Sequence, residues 1–151
     1  MSKHPKAHNT GFSLIELLVV VAVVAILAAV AYPTYREQVA SARRADMKAE
    51  LMRLAQYMER VYTETGCYNP DADNKCTGSG KPDIGTTSDY YDVAFSVGPT
   101  ANTFTLEATP KTGTPQAGDG KMGIDHLGQR YWDEDGSGKI DSPTEDDWDR
   151  G

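Results

Sequence analysis

Three groups of residues in this 151-residue chain have types and spacing that point to chemistry. Glu16 is a lone acid at the head of an apolar run, residues 17–31, where an ionised carboxylate is expensive and normally avoided. Such an acid needs a partner, and no cation lies within one helical turn of it in its own chain. Cys67 and Cys76 are the only cysteines, both beyond that run. An even, closely spaced pair in an exported domain reads as a disulfide, and Cys-x8-Cys carries no zinc signature. The third group is Asp133-x-Asp135-x-Ser137-Gly138-Lys139-Ile140-Asp141, which matches the first nine positions of an EF-hand-type Ca2+ loop. There, alternate oxygen side chains from Asp133, Asp135, Ser137 and Asp141 converge on a hard cation, Gly138 allows the sharp turn, and Lys139 contributes its carbonyl. Thr144 stands at the twelfth place, where a bidentate glutamate is expected, and Tyr131-Trp132 suggests a strand before the loop instead of a helix. The competing reading is a solvated acidic tail.

Other chemistry is excluded by what does not cluster. His126 is the only histidine after the first residues and has no nucleophile motif beside it; no phosphate loop, zinc set or catalytic carboxylate pair has supporting context, so the chain does not read as an enzyme. The net charge is -7, and eight acids between Asp133 and Gly151 face only Lys139 and Arg150. That tail repels phosphate backbones. Nucleic-acid binding would need a local patch from Arg36, Arg43, Arg44, Lys48, Arg53 and Arg60, or from Lys75, Lys81, Lys111 and Lys121.

The elements that position these groups follow from hydrophobic pattern. Residues 1–11 form a polar leader with Lys3 and Lys6 and no acid, which holds this end on the cytoplasmic side. Residues 17–31 would give about 22 Å of helix, short of a hydrocarbon core of about 30 Å. Adding residues 12–16 makes twenty and reaches that thickness, so the span includes Glu16. Pro33 lies inside what should be continuous helix and predicts a kink or local break near residues 29–33. From Tyr35 to Thr65 the helix turns amphipathic, with Leu51, Leu54, Ala55, Met58, Val61 and Tyr62 on one face, and Glu50–Arg53 and Glu59–Arg60 bringing opposite charges together outside. Gly66 is placed to cap it. Loop residues 67–88 follow. Strands are expected at 91–97, at 103–109, and in a hairpin about Gly128 formed by 122–127 and 129–132. The fold class is α+β: a long N-terminal helix whose second half covers one apolar face of a four-stranded antiparallel sheet.

Gly11-Phe12-Ser13-Leu14-Ile15-Glu16 ahead of an apolar helix resembles the prepilin motif of type IV pilins and of the related type II secretion pseudopilins. The resemblance implies that a prepilin peptidase cuts after Gly11 and methylates the new N-terminus at Phe12. It also implies that Glu16 meets the terminal amine of a neighbouring subunit during filament growth, which supplies the missing partner. Pro33 belongs to the same resemblance; Ala25 stands where many members have glycine, which favours helix by about 1 kcal/mol and shortens any unwinding upstream of the proline.

A second set of residues resembles PilE/ComP-like minor pilins: Arg44-Ala45-Asp46, Leu54-Ala55, Tyr62, Gly66-x-Tyr68, residues 103–110, and Gln116-Ala117-Gly118-Asp119 before Met122-Gly123-Ile124-Asp125. Relatives commonly have a C-terminal disulfide that this chain cannot make, so a bound Ca2+ would instead pin the tail. On this reading residues 1–11 are leader, 12–33 the membrane and filament-core half of the helix, and 34–151 a periplasmic, later extracellular, domain with sheet about 90–132 and acidic tail 133–151. The implied role is a type IV pilus subunit serving assembly, adhesion, twitching motility or DNA uptake. Its partners would be other pilin subunits, the peptidase, the inner-membrane assembly machinery and, before assembly, the membrane. Two alternatives stay open: a type II secretion pseudopilin with a C-terminal calcium loop, and a tip-located DNA-binding pilin.

Overall fold

The structure, a computed structural model, describes residues 12–78, 80–85, 88–133, 136 and 148. Helix α1 spans Leu14–Thr65. The carbonyl of Ser13 opens it by accepting the amides of Glu16 and Leu17 at 3.1 and 3.2 Å. Gly66 closes it: its φ of +83° is the left-handed conformation a helix end favours in glycine, and its amide donates to Tyr62 O at 2.7 Å.

Of the kink or local break expected near residues 29–33, the break does not occur: α1 is helical before, at and after the ring. Proline removes a single amide donor, toward Ala29 O, and the Thr34 hydroxyl donates to the next carbonyl, Val30 O, at 3.2 Å. The alanines at 25, 28, 29 and 31 favour helix on the upstream side.

The chain divides into two compact units, Met1–Val39 and Ala40–Gly151. In the first, every side chain from Phe12 to Gln38 is exposed. In the second, four strands, β1 (Tyr91–Val97), β2 (Thr105–Pro110), β3 (Met122–Asp125) and β4 (Arg130–Trp132), form one antiparallel sheet in sequence order. Alternation fixes which face is buried. Phe95 pairs with Leu106, Leu106 with Ile124, Ala108 with Met122, and Met122 with Trp132, which lines apolar residues up across the sheet. Against them α1 buries Met47, Leu51, Leu54 and Met58 in one core cluster with Phe104 and Trp148.

On the outer face Tyr131 lies across Gly123, where a Cβ would come within 2.1 Å of the ring. Glu107 accepts the Tyr131 hydroxyl at 3.2 Å and the Lys121 ammonium at 3.0 Å. Burial, with the nearby Glu107 charge, pushes the Tyr131 phenol up to about 12.

Of the two charge pairs expected on the helix surface, one forms and one does not. Glu50 and Arg53 do pair, at 2.6 Å, and that hydrogen bond lowers the Glu50 carboxyl. Glu59 and Arg60 do not: adjacent helical positions point about 100° apart. Arg60 reaches Glu64 at 3.9 Å, and Glu59 accepts the Tyr68 hydroxyl at 2.7 Å.

Because Leu54 is fully buried at the centre of the contact between α1 and the sheet, Leu54→Ala should cost the domain about 2–5 kcal/mol in urea unfolding. A loss below about 1 kcal/mol would mean that the helix is not packed on the sheet as described.

Candidate assembly and surface sites

Glu16 sits in the first turn of α1, where the helix dipole favours a carboxylate. Around it Phe12, Leu14, Ile15, Leu17 and Leu18 are each at least 60% exposed. This is the one described helix long and apolar enough to cross a membrane. Among the described residues nothing covers this surface, which is of the kind that lipid or other apolar helices cover. Gly11, the expected cleavage position, lies outside the described residues; Phe12 begins them.

Cys67 and Cys76 are disulfide-bonded, with Cα atoms 5.8 Å apart. The bridge closes a turn organised by Asp71, whose carboxylate accepts the amides of Asp73 and Lys75 at 3.0 and 2.8 Å and the Thr77 hydroxyl at 3.1 Å. Those bonds, that from Lys75 first, hold its carboxyl below the usual range. The backbone then crosses itself: a Cβ on Gly80 would fall 1.4 Å from Pro70 O, so only glycine fits there.

Residues that the sequence presents as separate motifs meet in a buried polar cluster. Arg44 on α1 pairs with Asp119 in the loop before β3 at 2.5 Å. The other Asp119 oxygen accepts the Tyr91 hydroxyl at 2.6 Å and Gln116 Nε2 at 3.0 Å. Gln116 is fully buried and its Nε2 also lies 3.1 Å from the Tyr91 hydroxyl and 3.4 Å from Ala40 O. The backbone carbonyl of Asp119 accepts Trp132 Nε1 at 2.7 Å, and Arg44 lies 5.1 Å over the Trp132 ring. Burial and the Asp119 carboxylate push the Tyr91 phenol far above its ordinary value, so it stays a neutral donor. The Arg44-Ala45-Asp46 and Gln116-Ala117-Gly118-Asp119 motifs are therefore two halves of one structure.

Every cation considered for a nucleic-acid patch has a partner. Six face carboxylates: Arg44 with Asp119, Arg53 with Glu50, Arg60 with Glu64, Lys75 with Asp73, Lys111 with Asp92, and Lys121 with Glu107. Arg36, Arg43, Lys48 and Lys81 lie over Tyr32, Tyr90, Trp132 and Phe95. The tightest of these is half-buried Arg43, 3.8 Å from the Tyr90 ring centre, whose guanidinium also donates to Gln116 Oε1 at 3.5 Å. His126 packs edge-on beside Phe104, 6.5 Å between ring centres, with no nucleophile at hand among the described residues.

Of the calcium set only Asp133 is described, 3% exposed, its amide donating to Lys121 O at 2.9 Å. Asp135, Ser137, Lys139 and Asp141 lie outside the described residues. Among the described residues no cluster of three or more histidine, cysteine or acidic side chains could hold a metal. Sequence reasoning missed Trp148, an indole 2% exposed whose Nε1 donates to Tyr131 O at 2.7 Å. A tryptophan inside an acidic run was the only available signal.

Removing Asp119 would take one close carboxylate from the buried Arg44 guanidinium. Asp119→Ala should cost about 3–5 kcal/mol in urea unfolding, and the double change Arg44→Met with Asp119→Leu should recover most of that loss. A single variant as stable as the parent would contradict the cluster.

Comparison with known proteins gives matches at both ends of this description. The family model of the prokaryotic N-terminal methylation motif matches residues 6–32. The model described as type IV minor pilin ComP, DNA uptake sequence receptor, matches residues 33–120. A type IV major fimbrial protein FimA of Dichelobacter nodosus is 36% identical over 80 residues, covering 53% of this chain and 50% of that protein. The chain thus spans about half the length of several curated relatives it matches, while another FimA of that organism is 32% identical over 120 residues, 76% of this chain and 73% of its own length. Among solved structures, the non-core minor pilin PilV of Neisseria meningitidis aligns at 22% identity and TM-score 0.48, over 62% of this chain and 85% of that one. A type IV pilin from Shewanella oneidensis aligns at 26% identity and TM-score 0.41, over 60% and 89%. With the methylation motif on its apolar helix and the ComP model covering more than half its length, the chain belongs to the type IV pilin family.

Proposed function

We propose that the chain is a minor subunit of a type IV pilus, cut by prepilin peptidase after Gly11, methylated at Phe12, and polymerised through the apolar half of α1. The observation that carries this reading is the wholly exposed apolar segment from Phe12 onward with Glu16 in its first turn. Before assembly the segment anchors the chain in the inner membrane with its domain outside the cytoplasm; afterwards neighbouring copies take the place of lipid. An unpaired acid in hydrocarbon costs a few kcal/mol, by analogy with the ~2.5–3.5 kcal/mol of insertion scales, and the amine created at Phe12 of a neighbour offsets it. The match to the ComP model over the domain favours a pilus subunit over a secretion pseudopilin.

DNA binding is the second reading, supported by the description of that same family model. The acidic tail and the six carboxylate-paired cations weigh against a broad electrostatic footprint, leaving the half-buried Arg43–Tyr90 stack as the group a base would have to approach. For the tail, we infer a modest-affinity Ca2+ site in residues 133–141, supported by its ligand pattern and by the anchoring of Asp133 at the end of β4.

Gly11→Ala should leave unprocessed precursor in the membrane, seen as the slower species on immunoblots. Glu16→Val should be processed normally yet fall at least tenfold in sheared pili; incorporation at the parental level would leave the acid without a role. For the tail, millimolar Ca2+ should raise Tm in the parent and not in Asp133→Ala. An equal shift in both, or none in either, would remove calcium from the account.

A further inference from the structure

We propose that Cys76 is the sulfur through which thiol–disulfide exchange reaches the folded chain: an external thiol or disulfide joins it there, while Cys67 makes and breaks only the internal bond. The two halves of the bridge are not equivalent. Cys67 is fully buried, whereas Cys76 is exposed. Around Cys67 the chain is closed. Its amide donates to Thr65 Oγ1 at 3.4 Å, and that hydroxyl lies 3.9 Å from its sulfur. The next residue, Tyr68, is 6% exposed, gives its amide to Ala101 O at 3.1 Å and packs on Phe104 with 4.8 Å between ring centres. The Cys76 sulfur lies at the surface, 3.1 Å from Thr65 O at the end of α1. Exchange requires a thiolate to reach the sulfur it attacks, so burial directs an outside reagent to Cys76.

In the opening direction an external thiolate bonds to Cys76 Sγ, the Cys67–Cys76 bond breaks, and its electron pair leaves on Cys67 Sγ, which takes a proton from water. A mixed disulfide stands on Cys76. Closing is the reverse: Cys67 gives up its proton, attacks Cys76 Sγ and expels the external thiolate. The loop is built to bring the two sulfurs back together. The Asp71 amide donates to Lys75 O at 2.8 Å, the Asn74 amide to Asp71 O at 3.0 Å, and the Asp71 carboxylate holds the Asp73 and Lys75 amides and the Thr77 hydroxyl. None of these bonds uses a sulfur, so the turn carries Cys76 whether the bridge is open or closed, and the return attack is intramolecular. This exchange does not rest on the pilus reading.

The test uses the oxidised full chain in detergent, with reduced glutathione raised until half of the bridges have opened. Acid quenching and alkylation follow. Lys75 lies between the two cysteines, so trypsin separates them and mass spectrometry counts the glutathione adduct on each. The adduct should favour Cys76 by about tenfold or more, with Cys67 recovered alkylated, because a buried sulfur is reached only through local opening. In denaturing urea the preference should vanish. The oxidising direction is read on two single variants. Glutathione disulfide should modify the free Cys76 of Cys67→Ala about tenfold faster than the free Cys67 of Cys76→Ala, and both alike in urea. An adduct shared equally, found mainly on Cys67 or absent from Cys76 while the bridge opens would overturn the proposal. So would equal rates in the two folded variants, or a preference that persists in urea.

Discussion

One helix has to satisfy two media, and the rest of the structure follows from where its surface changes. Up to Gln38 α1 is exposed on all sides and, through its first five turns, almost wholly apolar; from Met47 onward it hides one stripe and turns charged residues outward. No single solvent suits both halves. A helix apolar all round belongs in lipid or among other such helices, whereas an amphipathic helix belongs on a domain surface. Glu16 is the exception in the first half, and Arg44 is the exception in the second. Arg44 is a charge in a place that excludes water and is tolerable only with a partner, and Glu16 would be one too in lipid or in a filament. Arg44 finds Asp119 within its own domain, while for Glu16 the partner we propose is on another chain.

The Arg44–Asp119 pair shows what a buried charge does in a small domain. Desolvating both groups costs several kcal/mol each, and their attraction with the surrounding hydrogen bonds roughly offsets that cost. Its effect is on geometry. Asp119 gathers Arg44, Tyr91, Gln116 and, through its carbonyl, Trp132, so α1, β1, β4 and the loop before β3 share one fixed point. The loop has little regular structure of its own, and without this cluster it would be tied down chiefly by its two ends.

Much of this is legible in the sequence because local rules govern it. Alternation at Tyr91, Val93 and Phe95 and at Phe104, Leu106 and Ala108 marks strands that bury one face. Gly66 and Gly128 mark a cap and a turn that need positive φ. The cysteine pair marks the bridge. What stays hidden depends on contacts far apart in the chain. Arg44 reads as one more charge on a mixed helix until Asp119, 75 residues later, reaches it. Tyr68 takes Glu59 away from its neighbour Arg60, and no spacing rule anticipates that. Pro33 carries a local penalty, but one missing hydrogen bond does not end a helix of 52 residues with alanines beside it. Trp148 is obscured by the acids around it, since composition describes a segment by its average and the buried indole is a single residue.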